Sequence, residues 1–119
     1  MTTARSRIGT VGERHARLIL EAMDWQFIGA NWRCAAGELD LIMRDGRFVV
    51  FVEVKVRSGD SRGPAEEAIT KSKAKKLLAT GEWFMAEHPD LDCYPWRIDL
   101  MAITIGAELA SRSVRTPHA

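Results

Sequence analysis

Two apolar runs meet at a turn dipeptide: Leu39, Leu41, Ile42 and Met43 precede Asp45-Gly46, and Phe48 to Val52, Val54 and Val56 follow it. Asp-Gly between such runs is among the strongest short-range hairpin signals. Residues 37–44 and 47–57 are therefore predicted to pair antiparallel, with Met43 opposite Phe48. Counting outward sets Ile42 against Val49, Asp40 against Phe51 and Glu38 against Glu53. Side chains alternate with period two, so Leu39, Leu41, Met43, Phe48, Val50, Val52, Val54 and Val56 share one face, the expected core side. Asp40 and Glu53 become diagonal neighbours on the other face, and Lys55 lies two positions further along it.

Helical spacing brackets the hairpin. From Ile8 to Met23 apolar side chains cover more than half the circumference, which predicts a helix packed on a sheet; residues 1–7 read as a loose tail. Glu13 stands three residues before Ala16 and seven before Leu20, so it borders the apolar arc. Gly9 and Gly12 lower helix propensity, which either a close approach or fraying explains. Phe27 to Arg33 reads as a strand in which Asn31 and Arg33 share a face. After the hairpin, Ser58 to Pro64 is a loop rich in turn formers. Pro64 suits a first helical position, Thr70 caps a helix over 71–88, and Pro89 stops it. Ala74, Leu77, Leu78, Gly81, Phe84 and Met85 should pack that helix on the sheet. Trp96 to Ile105 alternates into a last strand, and residues 106–119 read as a second loose tail. Trp25, Trp32, Trp83 and Trp96 are expected in packing rather than as base-stacking platforms. The order helix-strand-strand-strand-helix-strand predicts an α/β fold, a mixed sheet flanked by helices in a single domain.

Composition narrows the classes. The chain has 119 residues, 46% hydrophobic and 28% charged, ordinary for one domain with one core. No apolar run approaches the roughly 18 residues of a membrane span, and no apolar signal region follows the start, so a cytoplasmic protein without a membrane partner is expected. Cys34 and Cys93 are lone and read as reduced structural thiols. His15, His88 and His118 are scattered and suggest neither a ligand cluster nor a triad. A net charge of +1 gives no global push toward nucleic acid. Its distribution is less neutral: residues 55–76 hold seven basic and three acidic side chains, which leaves the rest of the chain at minus three.

Gathering Glu38, Asp40 and Glu53 at one end of a hairpin is costly. Like charges about 4 Å apart repel by roughly 1 kcal/mol in water and about 4 kcal/mol at an effective dielectric near 20. Lys55 alone does not neutralise three acids, whereas a divalent cation would. Mg2+ commonly takes one or two carboxylates and completes its shell with water and phosphate oxygens. Lys71 and Lys73 fall in the first turn of the second helix, where the helix dipole disfavours cations. A phosphate backbone docked there would offset that penalty. Lys75 reads as part of a solvated face.

The Asp40…Glu53-Val54-Lys55 array resembles the active-site pattern of the PD-(D/E)xK, or restriction-endonuclease-like, superfamily of phosphodiesterases. More narrowly, the chain resembles the bacterial YraN family, whose relatives include archaeal Holliday-junction resolvases. The matching stretches are Gly9…Gly12-Glu13 with Ala16 and Leu20, Asn31, Gly37 to Ile42, Phe51 to Arg57, Arg62-Gly63, Glu67-Ala68-Ile69, Lys73 and Arg97 to Leu100. Val56 and Ile98 depart from the family's usual residues, away from the acids and the lysine. The resemblance implies a restriction-endonuclease-like core and a Mg2+-dependent nuclease, with Mn2+ as substitute, acting on branched or structured DNA, and a homodimer. In that reading Asp40, Glu53 and the Val54 carbonyl hold the metal, and Glu13, otherwise a solvent-facing glutamate, reaches in from the first helix. Lys55 is the catalytic lysine and Glu38 supports the site from just outside the metal. Arg57, Arg62, Lys71, Lys73 and Lys76 are the candidate nucleic-acid contacts. Two other classes stay open: a nucleic-acid-binding module of the same fold that does not cleave, and an interaction protein whose acids recruit a partner.

Overall fold

In the computed structural model the backbone is described for residues 4–58, 70–105 and 110–116, and the side chains for 11–56 and 70–103. The elements follow the chain as α1 (Ala4–Ala22), β1 (Gln26–Cys34), β2 (Gly37–Asp45), β3 (Phe48–Ser58), α2 (Lys71–Glu87), a single 3-10 turn at Pro89–Leu91, β4 (Trp96–Ile105) and β5 (Ala110–Thr116). The sheet is five-stranded in the order β1-β2-β3-β4-β5. β3 and β4 pair in parallel across the α2 crossover, and the other neighbours are antiparallel, so the sheet is mixed as expected. Among the described residues no helix is long and apolar enough to cross a membrane.

The hairpin forms with a shifted register. Asp45 pairs with Phe48 and Met43 with Val50, so the connection is the two residues Gly46-Arg47 and not the four that the count from Met43 opposite Phe48 requires. Two interactions account for this. Gly46 takes φ 59°, the left-handed backbone a tight primed turn needs at its first central position. Asp45 is held as a strand residue because the buried Arg97 of β4 donates to its carboxylate at 2.8 Å. A shift of two preserves which side chains share a face. It brings Asp40, one step beyond the last pair Leu41↔Val52, across from Glu53, where the count had placed Phe51. Glu38 pairs with Arg33 of β1 instead of standing opposite Glu53.

The expected single core face is also corrected, because both faces of β3 are buried. Val50 and Val52 pack with Leu41, Met43, Ala16, Leu20 and Trp25 beneath α1. Val49 and Phe51, on the face that carries Glu53, pack with Ile42, Leu39, Leu77, Phe84 and Ile98 beneath α2. Leu39 was counted with Leu41 but joins the α2 side. The alternation breaks at Asp40, which lies across from Asn31, itself held at φ 55°. The second core is aromatic: Phe84 meets Trp32 and Phe51 edge-on at centroid separations of 5.2 and 5.5 Å, and Phe51 meets Trp96 at 5.2 Å. Trp83 lies outside it, 42% exposed, its indole donating to Glu87.

Both ends carry more structure than their composition suggests. α1 starts at Ala4 and not at Ile8, since a helix nucleated on the packed Ala16–Leu20 turn extends backward at little cost. Ala110–Thr116, read as part of a loose tail, pairs antiparallel with β4. Backbone pairing satisfies the edge of β4 whatever the side chains are. The loop through Pro64 and Arg62 lies outside the described residues, as does the side chain of Arg57.

Gly81 provides a packing test. A Cβ built there meets Trp96 Cζ3 at 2.8 Å and Phe51 Cε2 at 2.9 Å, ring edges already locked in edge-on contacts. Helix propensity alone favours alanine over glycine by about 1 kcal/mol, but overpacking a core costs about 1–3 kcal/mol. Gly81→Ala is therefore expected to lower the unfolding free energy by about 1–2 kcal/mol in urea denaturation. A stabilised variant would show that the rings give way.

Candidate functional site

The site forms where β2 and β3 part. Past Leu41↔Val52 the next free amide of β3, that of Val54, donates to the Asp40 carboxylate at 3.0 Å, so a side chain ends the ladder where a carbonyl would have continued it. This fixes Asp40 across from Glu53. Burial raises the Asp40 carboxyl first, and hydrogen bonding and charge repulsion from Glu53 raise it further, to about 8, against a smaller lowering by the Val54 amide. Asp40 thus keeps a proton that an exposed aspartate has lost at neutral pH. Lys55 is half-buried and lies two positions past Glu53 on the same face of β3.

α1 supplies the third acid. Gly12 is buried against Val56, whose side chain occupies the space a Cβ would need, so the helix backbone comes down onto the end of β3. The close approach weighed for Gly12 is realised, and it sets Glu13 beside the acid pair. Burial raises the Glu13 carboxyl, the amide of Asn31 donates to it and lowers it, and Glu38 and Glu53 raise it by charge. A small crevice of about 150 Å³ opens here, lined by Glu13, Arg14, Arg17, Phe27, Asn31 and Leu41 among others. Among the described residues no three His, Cys, Asp or Glu side chains converge tightly enough to hold a metal ion. The structure brings Asp40 and Glu53 together; Glu13 stands beside them in their field. Glu38 is exposed and bonded to Arg33 at 2.6 Å.

The candidate phosphate-binding lysines divide. Thr70 caps α2 by accepting from the Lys73 amide at 3.1 Å. Lys73 continues into the stripe Leu77, Thr80, Gly81 and Phe84 that faces the sheet, and its ammonium reaches Glu53 Oε2 at 3.1 Å. Lys71 and Lys76, together with Lys75 of the solvated face, instead line a broad open concavity of about 790 Å³ with Ser72, Ala74 and Leu78. Spacing could have found the Lys73 contact: it precedes Leu77 by four and Phe84 by eleven, the stripe of the buried face. The group with no such signal is Arg97, 7% exposed, which donates to Asp45 and Asp99 and stacks over Trp25 and Phe48. It ties the hairpin turn to β4 and has no part in the acid pair.

Two close carboxyls, one of them the raised Asp40, suit a divalent cation chemically, since it offsets their repulsion and favours the charged form of Asp40. The comparison with known proteins decides the family. The model of Uncharacterised protein family UPF0102 matches residues 12–103, from the glycine beside Glu13 past the buried arginine of β4. The chain belongs to the UPF0102 family. It is 40% identical over 118 residues to a UPF0102 protein of Roseiflexus castenholzii, covering 99% of this chain and 94% of that one. It is 43% identical over 101 residues to UPF0102 protein YraN of Salmonella typhi, covering 84% and 77% respectively. With a UPF0102 protein of Beutenbergia cavernae the identity is 44% over 100 residues, 84% of each chain.

The raised Asp40 has a consequence for stability. Between 3.8, its ordinary value, and about 8, the unfolded chain has released a proton that the folded chain retains. Stability therefore falls as pH rises through that window, and the loss is absent below about 4. Asp40→Asn keeps an acceptor for the Val54 amide but does not titrate. In metal-free urea melts between pH 4 and 8 the wild-type protein should weaken with rising pH and Asp40→Asn should show a flatter profile. Identical slopes would assign the dependence to other groups.

Proposed function

We propose that this UPF0102 protein is a Mg2+-dependent phosphodiesterase acting on DNA. The observation that carries the reading is Asp40, its carboxyl raised by burial and by Glu53 across from it at the parting of β2 and β3, with Lys55 two residues along. Asp40 and Glu53, with the Val54 carbonyl, would hold the ion. Two protein carboxylates are a usual Mg2+ set when water and substrate phosphate oxygens complete the shell. A bound ion would polarise a phosphate oxygen and lower the pKa of a bound water. Lys55 would orient a water and stabilise the charge that grows on the phosphoryl oxygens. Glu13, whose carboxyl accepts from the Asn31 side chain, would reach toward the ion from the α1 side. The resemblance to junction resolvases directs the reading to branched or structured DNA and to a homodimer that sets two sites against two strands. A second reading, a nucleic-acid-binding protein of the same fold that does not cleave, is favoured by one observation: among the described residues the acids form a pair and not a three-ligand cage.

The first test is incubation of the purified protein with branched, flapped, single-stranded and linear DNA, with and without Mn2+. A divalent ion should also raise the melting temperature, since a ligand at one hundred times its dissociation constant adds about 2.7 kcal/mol to the folded state. Asp40→Ala should abolish that response. Equal gains in wild type and variant would place the ion elsewhere.

Charge changes of opposite sign separate chemistry from binding. Glu53→Gln removes an anion, so cleavage should fall by about 10²-fold or more while metal-free DNA affinity holds or rises. Lys55→Ala removes a cation; cleavage should fall similarly, with metal binding retained and DNA affinity no better than wild type. Wild-type rates in both variants would put the reacting centre elsewhere. DNA binding without cleavage by any of the three would select the second reading.

A further inference from the structure

Lys73 combines three properties shown by no other described lysine. It sits on the sheet-facing stripe of α2, its turn is capped by Thr70, and its ammonium lies 3.1 Å from Glu53 Oε2. The two partners are buried unequally: the Glu53 side chain is 11% exposed and that of Lys73 49% exposed. The ammonium therefore approaches a nearly buried carboxylate from the solvent side. Asp40 lies across the strand gap from Glu53, accepting from the Val54 amide. A divalent cation between Asp40 and Glu53 would take the same Glu53 oxygen that Lys73 holds.

We infer that Lys73 is a stand-in cation, which pairs with Glu53 while the metal position is empty and turns to a phosphate oxygen of the substrate when a divalent ion takes Glu53. The inference rests on the phosphodiesterase reading and adds a coupling to it. A lysine is suited to the exchange because its ammonium is a point charge on a flexible four-carbon stem, with no fixed fork that must match one carboxylate. Occupation of the metal position frees a cation at the edge where the phosphate arrives, so metal and DNA should strengthen each other's binding through this one residue. Coupling of that kind is reciprocal. Lys73 is a positioning residue in the metal-free protein and a substrate contact in the loaded one.

The test compares wild type with Lys73→Ala, Lys73→Arg and Lys75→Ala. Lys75 lies on the same helix, exposed and away from Glu53, and reports the general effect of losing one charge. Calorimetric titration with Mg2+ or Mn2+ should show Lys73→Ala binding the ion about fivefold more tightly than wild type, the factor that a half-exposed ion pair of about 1 kcal/mol represents. Lys75→Ala should stay near wild type and Lys73→Arg should bind no more tightly than wild type. Without metal, Lys73→Ala should melt lower, its acids having lost their partner, and with saturating ion it should gain more in melting temperature than wild type. Ca2+ should strengthen binding of an oligonucleotide to wild type by a larger factor than to Lys73→Ala. Metal affinity unchanged or weaker in Lys73→Ala, or an equal gain in Lys75→Ala, overturns the inference alone. Failure of the wild-type protein to take up Mg2+ or Mn2+ overturns it together with the phosphodiesterase reading.

Discussion

Val49 and Phe51 pack beneath α2 while Val50 and Val52 pack beneath α1, so the central strand must be apolar on both faces for as long as the helices cover it. Fully burying a Val or Phe side chain contributes about 1.5–3 kcal/mol, and four in succession make this stretch the anchor for everything else. A parallel neighbour on one side and an antiparallel one on the other leave β3 no exposed edge from Val49 to Val52. The polar residues Glu53 and Lys55 can come only where the strand runs out from that cover. The same geometry explains the tight seat of Gly81 against Phe51 and Trp96 and the close approach of α1 at Gly12.

The end of β3 is an electrostatic compromise. Partial burial disfavours the charged forms of Asp40 and Glu13, and their neighbours are acids. The fold answers with local hydrogen bonds, the Val54 amide to Asp40 and the Asn31 amide to Glu13, and with the ammonium of Lys73 on Glu53. That cation sits in the first turn of α2, where the helix dipole opposes it by typically 0.3–1 kcal/mol. Its position makes sense through Glu53. Asn31 belongs to the same compromise: a left-handed residue in a strand is strained less when it is asparagine, and its side-chain amide donates to Glu13 of α1.

Much of this architecture was legible along the chain. The hairpin, the Thr70 cap, the sheet-facing residues of α2 and the strand β4 all follow from local periodicity and capping chemistry, which depend on near neighbours in sequence. The register did not, because Asp45 is committed by Arg97, 52 residues away in sequence, and a turn count has no access to that partner. The two-sided core was hidden for a related reason. Apolar residues at Ile42, Val49 and Phe51 announce burial, but a strand covered on both faces reads the same as a short buried helix or an exposed apolar stripe until the covering helix is placed.

For the candidate site, the residues alone placed Asp40, Glu53 and Lys55 together on one face at one end of the hairpin by period two, whichever even register the hairpin takes. Tertiary structure alone decided what each acid meets. Asp40 faces Glu53 directly because the ladder stops at the Val54 amide, Glu13 arrives because Gly12 lets α1 descend onto Val56, and Lys73 joins Glu53 because the crossover lays α2 over that face. Periodicity records which side of its own element a residue faces. The charge and burial that set a carboxyl's proton affinity come from other elements, and only the folded chain brings them within reach.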